Sequence, residues 1–313
     1  MTAPAQADLA APVSASRSLV AAALSTVYLV WGSTYLAIRV VDRDMPPLLS
    51  AGVRFSVAGA VLLTVLGVRR GWSRLRLRPA QLGAVALLGV LLPALGNGLV
   101  VVGERTVRSG VAALLVAAVP LWIVGWRTLS GDRPRRATMV GVVAGLAGLV
   151  VLLLPAGDRG RAGITGLAAI LLATLAWSGG SVLAVRLPLP GDPFVAAAYE
   201  MLTGGLVLLG GATALGEPRE LHPAAIGATS WLALTYLIVF GSLVAFTAYV
   251  WLLGNASVSL VSTYAYVNPV VAVLLGAGIL GEPLGPGLVL GGGIVLAGVV
   301  LVVTGERRSR LVS

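Results

Sequence analysis

The sequence predicts an all-α integral membrane protein in which ten transmembrane helices form two inverted five-helix repeats. Three observations predict it: a composition too apolar for a water-soluble globule, ten apolar runs of spanning length, and a self-similarity at an offset near 146 to 150 residues. Hydrophobic residues make up 58% of the chain and charged residues 11%, with a mean hydropathy of +0.97, so lipid is the solvent this surface suits. The 41 glycines would weaken soluble helices, but in a membrane they let helix backbones pack against one another.

The apolar runs fall at 19–38, 48–68, 81–103, 109–126, 137–155, 164–186, 194–215, 229–253, 258–280 and 285–304. Each approaches the roughly 20 residues that a helix rising about 1.5 Å per residue needs to cross about 30 Å of hydrocarbon. Residues 1–18, rich in Ala, Pro and Ser, read as a disordered tail without a cleavable signal.

Orientation follows from arginine, which cytoplasmic loops retain. With the N-terminus inside, 14 arginines fall inside and seven outside, while Arg54 lies within a helix. The inside set includes Arg69, Arg70, Arg74, Arg76 and Arg78 in the second loop and Arg127, Arg133, Arg135 and Arg136 in the fourth. Arg17, Arg186, Arg307, Arg308 and Arg310 complete it; the outside set is Arg39, Arg43, Arg105, Arg108, Arg159, Arg161 and Arg219. Both termini are expected in the cytoplasm.

The repeat is visible residue by residue. Trp31-Gly32-Ser33 matches Trp177-Ser178-Gly179, Pro47 matches Pro193, Pro120 matches Pro269, and Gly131-Asp132 matches Gly281-Glu282. Residues 141–153 (GVVAGLAGLVVLL) align with 291–303 (GGGIVLAGVVLVV). Each unit holds five crossings, an odd number, so successive units enter the membrane from opposite sides and the repeat is inverted. The expected organisation is a cytoplasmic tail 1–18, a first repeat 19–155, a second repeat 164–304 and a cytoplasmic tail 305–313.

Composition also excludes chemistry. All 22 basic residues are Arg, so there is no P-loop lysine for ATP and no Schiff-base lysine. The chain has no Cys and one His, His222, which removes thiolate nucleophiles, disulfides and Cys/His metal sites. The net charge of +10 lies in short runs between apolar stretches and not along a face interleaved with aromatics, so no nucleic acid is expected.

Four stretches carry a resemblance: VYLVWGSTYLAIR at 27–39, PPLLSAGVRF at 46–55, VRSGVAALLVAAVPLW at 107–122 and STYAYVNPVVAVLLGAGILGEPL at 262–284. In this order, and echoed in the second half, they resemble the EamA-type transporters of the drug/metabolite transporter superfamily over about residues 19–304. The resemblance implies a transporter of two inverted five-helix repeats whose helices one, three, four, six, eight and nine line a central cavity, with five and ten peripheral. Its substrates span amino acids and their derivatives, sugars, nucleotide conjugates and drugs.

Charge inside a bilayer is costly and marks functional candidates. Arg54 and Glu200 each lie seven residues after the proline that opens their helix, about 10 Å deep. Inversion puts Arg54 toward the outer face and Glu200 toward the inner one, which argues against an ion pair. Glu200 is either a carboxyl that binds and releases a coupling proton or a carboxylate bonded to a neighbouring helix. Arg54 either attracts an anionic group or snorkels to backbone carbonyls. Glu104 and Glu282, at membrane ends, read as solvated, and Asp132 and Glu282 as helix caps.

Pro120 and Pro269 sit mid-helix at corresponding positions, either as paired breaks or hinges that point to the binding site or as neutral kinks. Tyr264 and Asn268 share a helix face and, with Tyr266, give helix nine unusual polar density, so they head the candidate substrate contacts. Trp31, Thr34 and Trp177 follow, the two indoles being placed to sandwich an apolar or cationic group or to serve as ordinary packing. Asn97, between Gly96 and Gly98, is either a helix-to-helix hydrogen bond or a cavity contact.

The function expected is a secondary transporter, an exporter or exchanger of a small organic metabolite, working by alternating access in the cell (inner) membrane and not an enzyme. The alternatives are a membrane-embedded transferase, whose paired-aspartate diphosphate motifs do not occur here, or a channel or scaffold. Expected partners are the small-molecule substrate, the lipid bilayer, protons as a candidate coupling ion and a second copy in a candidate homodimer. No cofactor or metal is expected.

Overall fold

The computed structural model describes residues 16–131, 136–153, 163–256 and 258–309. Most of the first tail, Asp132, Arg133, Arg135, Arg159, Arg161 and Arg310 lie outside them. Among the described residues the chain is helical, with no strand. We label its long helices α1 Arg17–Val41, α2 Pro47–Arg70, α3 Pro79–Glu104, α4 Ser109–Leu129, α5 Arg136–Leu153, α6 Ile164–Ala184, α7 Pro193–Ala214, α8 Ala228–Asn255, α9 Tyr264–Leu280 and α10 Pro286–Ser309.

Seven of these, α1 to α4 and α6 to α8, are long and apolar enough to cross a membrane. The other three carry shorter apolar cores at Thr138–Gly148, Val267–Leu280 and Pro286–Val302. Large apolar side chains such as Leu29, Val143, Leu232, Leu274 and Val289 face outward, a surface that would aggregate in water and is at home in lipid. The chain is a multi-pass membrane protein.

Local sequence sets the helix starts. Prolines stand in the first turn of α2, α3 and α7, where the missing N–H has no intrahelical partner to lose. Ser16 caps α1 through the Leu19 N–H at 3.2 Å, and Asp192 caps α7 through the Phe194 N–H at 2.9 Å. Gly281 ends α9 in the left-handed conformation, φ 66°, which only glycine adopts without strain. The reversal turns Glu282 back toward α4.

Glycine sets the closest helix pairs, α2 with α7 and α5 with α10. A Cβ on Gly59 would lie 2.6 Å from the Leu202 nitrogen, and one on Gly205 2.4 Å from that of Ser56. In the second pair, a Cβ on Gly298 would lie 2.5 Å from the Gly145 nitrogen, and one on Gly148 2.6 Å from that of Val295. Backbone touches backbone at both crossings, the packing small residues permit in lipid. Around these pairs α1 packs on α9 and α8, α6 on α4 and α3, α2 on α8 and α7 on α3.

Three helices depart from regular geometry. In α4 the chain breaks at Ala117 and Ala118 and resumes as Val119–Leu129 with Pro120 in its first turn, because a proline ring collides with the carbonyl four residues back. Pro269 does not break its helix as expected: α9 runs unbroken through it. The interruption lies earlier, at Ser262 and Thr263, after the single turn Val258–Val261; within α9 the missing N–H of Pro269 leaves the Ala265 carbonyl without its intrahelical donor. The wide π turns at Val90–Asn97 in α3 and Leu237–Phe246 in α8 have no signal in the apolar periodicity.

Candidate functional site

A small chamber of about 50 Å³ lies among α1, α3, α4, α6 and α9. Trp31, Thr34, Asn97, Trp177, Tyr264 and Asn268, far apart in sequence, all line it. Tyr35, Val100, Val116 and Thr174 complete much of the wall. The expected arrangement thus meets in one place, although its internal geometry differs from the sequence reading.

The two indoles do not flank a gap. Trp31 and Trp177 meet edge to face with centroids 5.4 Å apart and planes at 83°, the orientation that sets one ring's positive edge on the other's negative face. In this conformation nothing fits between them. Tyr249 of α8, absent from the sequence candidates, is the hub: its ring lies 5.0 Å from Trp31, 5.3 Å from Trp177 and 6.0 Å from Tyr264. Its hydroxyl accepts the Trp177 indole N–H at 3.1 Å and pairs with Ser181 at 2.7 Å. The eighth run holds two tyrosines, Tyr236 and Tyr249, and nothing in its sequence separates the one at this hub from the other.

Each tryptophan rests on the wide-turn segment of the other half. Trp31 donates its indole N–H to the Gly241 carbonyl at 3.1 Å, and the ring of Trp177 covers Gly96 so closely that a Cβ there would lie 2.7 Å from it. On α9, the Asn268 amide turns its NH₂ to the carbonyls of Tyr28 at 3.1 Å and Tyr264 at 3.2 Å, the orientation its surroundings require. Oδ1 takes no part in those two bonds. Tyr28 also bonds Thr263 through their hydroxyls. On the opposite wall, Trp122 and Trp126 of α4 donate to Thr174 and Ser178 of α6, each at 2.9 Å.

The buried charges stand apart from the chamber. Arg54 donates from Nε to the Ser242 hydroxyl at 2.8 Å and lines a narrow side pocket with Ile38, Val101 and Leu237. Its Nη1 has no partner. Glu200 is buried, with Oε2 unpartnered, on a vestibule shared with Leu88, Ala184, Pro193 and Asn255. Arg54 and Glu200 form no ion pair. Arg39, Asp42, Arg43, Arg105, Arg108 and Glu282 line another vestibule; Leu88 and Arg105 are 17 positions apart along α3, roughly 25 Å, so the two vestibules open at opposite ends.

One carboxylate, Glu104, corrects the sequence reading, while Glu282 takes the capping role read for it. Glu104 is fully buried and neither of its carboxylate oxygens has a partner, because α6 closes over the end of α3 where Gly103 meets Gly166 and Ile170. Glu282 accepts from the Ser109 N–H and hydroxyl, at 3.1 and 2.8 Å, and from the Gly110 N–H at 3.3 Å. It caps α4 across the halves. Glu217 accepts the N–H groups of Leu48 and Leu49 at the start of α2, and Asp44 accepts from Gly227 and Ser230 at the start of α8.

Residues 17–154 and again 164–304 match the EamA-like transporter family. The chain belongs to that family. This EamA-like transporter is 43% identical over 285 residues to the inner membrane transporter YedA of Escherichia coli, covering 91% of this chain and 90% of that one. A transporter of Archaeoglobus fulgidus is 25% identical over 280 residues, 87% of this chain and 94% of its own length. One crystal structure, 25% identical, superposes with a TM-score of 0.66 over 94% of this chain and 99% of its own. The family and these relatives are named as transporters, so the role of this EamA-like protein is transport of a small molecule across a membrane.

Proposed function

We propose that the chain is a secondary transporter, an exporter or exchanger of a small organic metabolite such as an amino acid, an amino-acid derivative or a drug. It works by alternating access between two inverted five-helix halves, α1–α5 and α6–α10, with both termini in the cytoplasm. One observation carries the reading: the packing survives exchange of the halves. Swapping α1 with α6, α2 with α7, α3 with α8, α4 with α9 and α5 with α10 turns the α1–α9 contact into α6–α4, α1–α8 into α6–α3 and α2–α8 into α7–α3. The pairs α2–α7 and α5–α10 map onto themselves. Trp31 on Gly241 and Trp177 on Gly96 obey the same exchange, which is what two conformations of opposite access need.

Substrate enters by prising the aromatic cluster apart, with Tyr264 and Asn268 as polar contacts, Trp31, Trp177 and Thr34 as walls and Asn97 at the wide-turn end. Arg54 steadies α8 through Ser242, and Glu200 is the inner carboxyl available to a coupling proton. The broken α4 at Pro120 supplies a hinge. A thermal-stability screen of the purified protein over amino acids, sugars and cationic drugs tests the site, since a ligand of the folded state raises its melting temperature by mass action. Asn268→Ala should abolish the shift for the ligand found and leave the apo protein folded; an undiminished shift removes Asn268 from the site.

A further inference from the structure

Glu104 is a second buried acid, and the transport reading above leaves it without a task. It lies at the last residue of α3, one helical turn beyond Val100 of the chamber wall. Arg39, whose guanidinium donates to the Glu104 backbone carbonyl, opens on the vestibule together with Asp42. Glu104 therefore stands in the partition between chamber and vestibule. It has zero exposure and two unpartnered oxygens, and Asp42 beside it also carries two shielded, unpartnered oxygens.

Among the described residues the groups that face it are few. From α1 come Tyr35, Arg39 and Asp42, from its own chain Arg105, and from across the vestibule Arg108 and Glu282. Helix α6 presents Gly166 and Ile170, which carry no charge. Among the described residues Arg39 is the cation that reaches Glu104 by a hydrogen bond, and it spends that bond on the backbone carbonyl. Glu282, held by its hydrogen bonds to α4, is itself a carboxylate and sets a like charge near Glu104. An ionised carboxylate is costly to enclose without a partner, whereas a carboxylic acid is not, and four arginines around the vestibule disfavour a metal cation there.

We infer that Glu104 is a proton-binding site whose occupancy holds the partition closed: the acid takes its proton from vestibule water, and return of that proton leaves a carboxylate that is stable only when the partition opens and hydrates it. This deepens the alternating-access reading, and rests on it for its part in transport. The proton would be exchanged at this end of the chamber while Glu200 faces the other.

The absence of native cysteine allows a test without knowledge of the substrate. A single cysteine at Val100, behind the partition, is labelled in lipid nanodiscs with a charged, water-soluble maleimide. Its rate is divided by that of Arg219→Cys, on an exposed loop, to remove the thiol's own pH dependence. The ratio should climb with pH by up to about tenfold per unit through the transition, the limit for one linked proton. Glu104→Gln should flatten it at the slow, closed level, while Asp42→Asn should keep the slope. In parallel, the infrared carbonyl band of a protonated carboxyl, present in the wild type at neutral pH, should lose intensity in Glu104→Gln.

An undiminished slope in Glu104→Gln, a slope lost in Asp42→Asn alone, a rate that follows sodium at fixed pH, or an unchanged infrared band would each overturn the inference. Failure of the transport reading shows separately, as absence of solute counterflow in the wild type.

Discussion

Trp31 of α1 donates its indole N–H to the Gly241 carbonyl of α8 at 3.1 Å, across what the proposed symmetry makes the boundary between halves. The same glycine receives Arg54 and Thr34: a Cβ there would lie 2.9 Å from Arg54 Nη2 and 3.2 Å from Thr34 Cγ2. One small residue in a wide turn thus collects α1 and α2 onto α8. Gly241→Ala should therefore destabilise the protein by about 1 kcal/mol, the low end of the cost of overpacking, because the nearest atom ends a side chain that can shift. Trp31→Phe, which strands a buried carbonyl, should cost about 1 kcal/mol or somewhat more. Denaturation of each variant in mild detergent, read by fluorescence at fixed lipid content, checks both values.

The α2–α7 crossing predicts a sharper failure. A Cβ on Gly59 faces backbone atoms, Leu202 N at 2.6 Å and the Ala198 carbonyl at 2.8 Å, and backbone cannot swing aside as a side chain can. Gly59→Val should cost more than the roughly 1–3 kcal/mol of ordinary overpacking. It should show as loss of the monodisperse peak in size-exclusion chromatography, whereas Gly125→Ala, where a Cβ meets nothing within 4 Å, should run as the wild type does.

Asp44 makes the fold sensitive to acid. Its hydrogen bonds from Ser230 and from the Gly227 N–H hold its carboxyl below the ordinary carboxylate value. A depressed folded value stabilises above the unfolded one and is lost as pH falls through the folded one. Melting temperature should therefore drop on acidification below about pH 4, and Asp44→Asn should shrink that drop. Parallel melting curves across the acid range decide it.

Asp42 acts with the opposite sign. Burial, offset by Arg105 and Arg39, pushes its carboxyl from 3.8 up to about 8. A raised folded value means stability is fully present below the unfolded value and declines as pH rises toward the folded one. Melting temperature should fall between pH 4 and 8 by this contribution, and Asp42→Asn should flatten the decline while raising stability at the alkaline end.

The residues the sequence singled out for the chamber were legible because polar and aromatic side chains stand out against an apolar background: Trp31, Thr34, Asn97, Trp177, Tyr264 and Asn268 all line one space. Tyr249 was not, since its role depends on which face of α8 meets α6. Glu104 was misread as solvated because position at a helix end fixes depth, while burial depends on the neighbour, α6, that covers it. The wide turn of α3 encloses Pro93, a local signal that the apolar periodicity does not carry, whereas that of α8 contains no proline.

The central claim is that one chamber serves both faces of the membrane. Counterflow measures it most directly: proteoliposomes loaded with the unlabelled solute found in the thermal screen are given a trace of labelled solute outside. The account predicts a transient accumulation of label above its equilibrium level, diminished in Asn268→Ala. Label that merely equilibrates, with no overshoot in the wild type, would mean an open pore and would contradict it.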